Sequence, residues 1–68
     1  MKKYRIKFLE LLHEDGIMSI EVLVGAPDMG SAIARATLIL LKHSMEMTWV
    51  AQVTEEETGV VLFEGAEL

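Results

Sequence analysis

The side chains able to do chemistry in this chain are few and thinly spread. His13, Glu14 and Asp15 follow one another, His43 precedes Ser44, Glu55, Glu56 and Glu57 form an acidic run, and Lys3, Arg5 and Lys7 alternate near the start. A histidine with a carboxylate can move protons or hold a metal, provided the groups converge on one point. Successive residues of a hairpin point alternately to opposite sides, so His13, Glu14 and Asp15 are not expected to converge on a metal. His43 sits where a helix should end, a place that suits histidine for its charge and solvation. Ser44 lies beside it, but adjacency alone does not make a nucleophile and base dyad. There is no glycine-rich phosphate loop ending in Lys-Ser or Lys-Thr, no GxGxxG, no GxSxG and no CxxC. The reading is of a chain with no catalytic residues, no cofactor site and no metal site.

The charged runs suggest binding in place of catalysis. Lys3, Arg5 and Lys7 fall on one face of a strand and could meet a row of phosphates. No aromatic residue shares that face to stack a base, so the expected role is a solvated outer surface that protects a strand edge. Glu55, Glu56 and Glu57 read as a solvated turn, or as an acidic contact for another protein with a basic surface. The net charge of −5 divides unevenly. Four cations and no anion occupy the first eight residues, whereas from Leu9 onward two basic residues stand against eleven acidic ones, a balance of −9. That field argues against general nucleic-acid binding.

Residues 28–43 form the apolar run that the rest of the chain must be built around. At about 100° per residue, Met29, Ala32, Ile33, Ala36 and Leu40 share one face, with Ile39 and His43 at its margins. Gly30, Ala34, Leu38 and Leu41 gather on nearly the opposite side, where a helix on a monomer surface should be polar. Ser31, Arg35 and Lys42 form a thin polar seam between the two. Either a loop or the C-terminal tail covers the second stripe, or Ala34, Leu38 and Leu41 pack on another chain; the second alternative predicts a homodimer. Asp28 is the expected helix N-cap, with Ser31 a competitor one turn later.

Strands flank this helix. In residues 3–8, Tyr4, Ile6 and Phe8 alternate with the three cations, and the phase slips near Leu9, where a β-bulge would restore it. Asp15-Gly16 signals a hairpin, and residues 17–24 then place Met18, Ile20, Val22 and Val24 inward. Proline at position 27 ends that strand. Residues 45–54 are expected to turn Met47, Trp49, Ala51 and Val53 inward and Val50 outward. A charged turn leads to a last strand over residues 60–63, with residues 65–68 a frayed end. The order is ββαββ, and the expected architecture is a single α+β domain over residues 1–68: a two-layer fold with an antiparallel four-stranded sheet and one helix on one face.

Sixty-eight residues bury a small core, and with no cysteine there is no disulfide to reinforce it. Extra burial through self-association would be a natural remedy. No signal peptide or membrane span is visible, so a soluble cytoplasmic protein is expected. In size and composition the chain is comparable to small acidic inhibitors and regulators carried by phages and mobile elements, though no motif connects them. A small non-enzymatic protein-binding or regulatory homodimer is therefore the leading expectation. A nucleic-acid-associated module using Lys3, Arg5 and Lys7 is the alternative, and an enzyme subunit whose site is completed across a dimer by His13 or His43 is a third.

Overall fold

A computed structural model describes residues 1–12, 16–43 and 48–65. Its elements are β1 (Lys2–Leu12), β2 (Gly16–Ala26), α1 (Met29–Lys42), β3 (Thr48–Glu55) and β4 (Val61–Glu64). They form an α+β fold in which one antiparallel sheet, in the order β2-β1-β3-β4, carries the helix on one face. The shortest principal extent is 14 Å. That is one sheet plus one helix, since packed layers lie about 10 Å apart, and among the described residues no third layer lies over the far face.

The first hairpin is long and regular. β1 and β2 pair without interruption from Lys2 opposite Ala26 to Leu12 opposite Gly16. Gly16 adopts a φ of +86°, a region that side chains with a Cβ rarely enter, which is why glycine closes the turn there. His13, Glu14 and Asp15 lie outside the described residues, as do Ser44, Met47 and the chain beyond Gly65. Tyr4, Ile6 and Phe8 are buried on the helix side, as their alternation predicts, and Val24 and Ala26 join them from β2. Ile20 and Val22 pack at the margin of this core. Met18 stays more exposed than its phase suggested.

The helix begins where its cap is. Asp28 is extended, and its carboxylate accepts a hydrogen bond from the Ser31 amide at 2.8 Å, satisfying one of the otherwise orphaned first-turn N–H groups. Ala32, Ala36 and Leu40 are buried and Met29 and Ile33 pack beside them, so the inward face is the one the 3.6-residue period marks.

The phase of β3 differs from the sequence expectation. No bulge interrupts the β1–β2 pairing at Leu9. The irregularity lies between β1 and β3, where Lys7 faces Gln52 and Phe8 faces Val50, leaving Ala51 as the extra residue on β3. One inserted residue turns every side chain before it to the opposite face. Val50 therefore joins the helix-side core with Val53, while Trp49 pairs with Leu9 on the far face and is half-buried there. A second irregularity lies between β3 and β4, where Val53 faces Phe63 and Thr54 faces Val61.

Candidate interaction surfaces

Arg5 of the basic row and Glu56 of the acidic run come together on the far face of the sheet. Antiparallel pairing of β1 with β3 places the turn after β3 beside the start of β1, and the Glu56 amide donates to the Lys3 carbonyl at 2.9 Å. From there the Glu56 carboxylate accepts two hydrogen bonds from Arg5, from Nε at 2.9 Å and from Nη2 at 2.8 Å. A two-point fork of this kind is the strongest geometry available to an arginine and a carboxylate. On the other side Arg5 Nη1 approaches Glu21 of β2 at 3.4 Å. Glu55 meets Lys2 at 3.9 Å on the helix side, while Glu57 is exposed.

The acidic run and the basic row thus meet each other. Hydrogen bonding to Glu56 raises the affinity of Arg5 for its proton, and the same contact holds the Glu56 carboxyl below the ordinary carboxylate range. Arg5 forms a bracket across β2, β1 and the β3–β4 turn, and Lys3 and Lys7 remain as the other cations of the row. All three carboxylate partners of the bracket and its flank are partly solvated, so the bracket defines register more than it supplies stability.

His43 is exposed at the end of α1, where its amide donates to the Leu40 carbonyl at 3.0 Å. Among the described residues no three histidine, aspartate or glutamate side chains gather as metal ligands, and no polar side chain is buried in the core. No helix among them is long and apolar enough to cross a membrane.

What the described residues do present is exposed apolar surface. Leu38 is 59% and Leu41 58% exposed, and Ala34 lies open beside them. No described loop or strand covers this stripe. A second apolar surface was not singled out from the sequence: Val61, Leu62 and Phe63 of β4, together with Val60 before it, are all at least 40% exposed. Their apolar run was legible, but it reads equally well as a buried strand. Only the sheet order, which leaves β4 at an edge beyond the helix, makes it surface.

No known family model, characterised protein or solved structure matches this chain.

Proposed function

We propose that the chain is a small non-enzymatic protein-binding module that works as a homodimer, with Ala34, Leu38 and Leu41 in the interface. The observation that carries this reading is the exposure of two adjacent leucines on the side of α1 opposite its core face. Monomeric proteins tolerate scattered apolar side chains, but contiguous patches on a chain this small mark contact surfaces. The acidic balance of the remainder suits a further partner with a basic surface, reached first at Glu57, whose carboxylate is exposed at the turn.

The nucleic-acid alternative has less support, because Arg5, the central cation of the basic row, is already bracketed by Glu56 and Glu21. Solution mass by light scattering across a dilution series tests the leading reading. The native chain is expected to be a dimer, and Leu38→Glu combined with Leu41→Glu a folded monomer. A native chain that is monomeric at every concentration would sink the homodimer.

A further inference from the structure

The helix covers only half of the sheet face on which it lies. It packs against β2 and, less extensively, β1. Arg35 Nη1 donates to the Gly25 carbonyl of β2 at 2.6 Å, which places Arg35 on the β2 side of the helix. At about 100° per residue, Thr37 and Leu41 lie roughly 200° and 240° round from Arg35, on the flank that overlooks β3 and β4. Below that flank the apolar helix-side residues of β3 and β4 are Val53, which is buried, Val50, which is half-buried, and Phe63, which is 40% exposed, with Glu55 at the turn end of β3 beside them. The result is a step, with α1 as the riser and the β3–β4 hairpin as a bare shelf.

The shelf has the dimensions of one helix. Two strands about 4.8 Å apart occupy roughly 10 Å, close to the diameter of a helix with its side chains. Among the described residues the chain has no second helix to lay there. It does have a helix whose side away from its own sheet is apolar, at Ala34, Leu38 and Leu41.

We propose that the shelf receives α1 of a second copy. The proposal rests on the self-association argued above and adds the surface that the stripe meets. Rotating one copy by 180° about an axis parallel to the strands and midway between the helices lays each α1 between its own β2–β1 half and the partner's β3–β4 half. The assembly then has three layers, sheet, helix pair and sheet, and Leu38 of each copy rests on Phe63 of the other.

Area favours this occupant, and charge does not oppose it. The helix carries Arg35 and Lys42 and no acidic residue, and the carboxylate on the helix side of β3 is Glu55, whereas Glu56 and Glu64 lie on the far face. A helix-to-helix contact alone is too small. Each half-exposed leucine offers on the order of 100 Å² by its transfer energy, so two fall well short of the roughly 800 Å² per partner of a standard interface. Stripe on shelf is used twice under the two-fold and adds the helix flanks, which brings the contact toward that size.

The chain contains no cysteine, so single introduced thiols report contacts directly. Chains carrying Leu38→Cys and Phe63→Cys, one of them with a mass tag, are mixed and mildly oxidised. The expected product is a disulfide linking residue 38 of one chain to residue 63 of the other. A dominant disulfide between two copies of the Leu38→Cys chain would overturn the shelf as receptor while leaving self-association standing. Monomeric mass with no interchain product would overturn both. Phe63→Glu provides a second reading by light scattering: at unchanged helical and strand signal, the dimer dissociation constant should rise at least tenfold, and an unchanged constant would reject the shelf.

Discussion

Each half of this sheet is a hairpin, and the two end in opposite conditions. In the half formed by β1, β2 and α1, Tyr4, Ile6, Phe8, Val24 and Ala26 lie under Ala32, Ala36 and Leu40, all of them buried. In the half formed by β3 and β4, Val53 is the buried residue at the seam, and every residue of the four-residue β4 is exposed. The difference arises from helix position, because α1 follows the edge strand β2 and packs back on β2 and its neighbour β1. Stability should therefore reside in the first half, and association in the second together with the outer side of α1.

The largest expected effect breaks the first half. Phe8→Ala removes a nearly fully buried ring and should cost about 3–5 kcal/mol in denaturant melts, enough to unfold much of so small a domain. Phe63→Ala, measured at dilution where the chain is monomeric, should cost less than about 1 kcal/mol, because Phe63 is a surface residue there. Equal losses at the two sites would erase the distinction between the halves.

A smaller effect should stay within the second half. Gly65 follows β4, where its amide donates to the Ala51 carbonyl at 2.7 Å, and a Cβ added there would lie 2.5 Å from the Val50 carbonyl oxygen. That oxygen belongs to a strand and has little freedom to move aside. Gly65→Ala should cost roughly 1–3 kcal/mol by displacing the end of β4, with amide shifts confined to β3 and β4. Shifts that spread into β1 and β2 would show the halves to be mechanically one.

The smallest effects are electrostatic. Replacing Asp28 by alanine removes the acceptor of the Ser31 amide and should lower the melting temperature slightly, with fraying confined to the first turn of α1 in hydrogen exchange. Glu56 titrates below the ordinary carboxylate range when folded, chiefly because Arg5 hydrogen-bonds its charged form. Its contribution is therefore complete above its unfolded pKa and is lost as pH falls through the lower, folded value. Acid titration of stability should accordingly be shallower in Glu56→Gln than in the native chain, by a small margin because the pair is exposed. Identical acid profiles would mean that the Arg5 bracket does not join the halves energetically.

The legibility of this fold in the sequence divides along the same line. Residues 28–43 were readable because a 3.6-residue period, an N-cap and a preceding proline all agree, and Tyr4, Ile6 and Phe8 because their neighbours are charged. Alternation alone puts Val50 and Trp49 on the wrong faces, since a single extra residue at Ala51 inverts the phase and both residue types suit either face of a strand. The meeting of Arg5 with Glu56, 51 positions apart, depends on β1 lying beside β3. Periodicity carries no information about which strands are neighbours, so two charged surfaces that looked separate are one. The exposed stripe at Ala34, Leu38 and Leu41 was visible in the helical period, but the bare shelf was not, because it is a property of sheet order.

Amide hydrogen exchange as a function of protein concentration tests the central claim most directly. Protection of β1 should be high and independent of concentration, since its partners lie within the chain. Protection of Val61–Glu64 and of residues 38–41 should rise together on going from micromolar to near-millimolar protein, as each helix settles on the partner's hairpin. Protection of β4 and of the helix end that does not change with concentration would contradict the account.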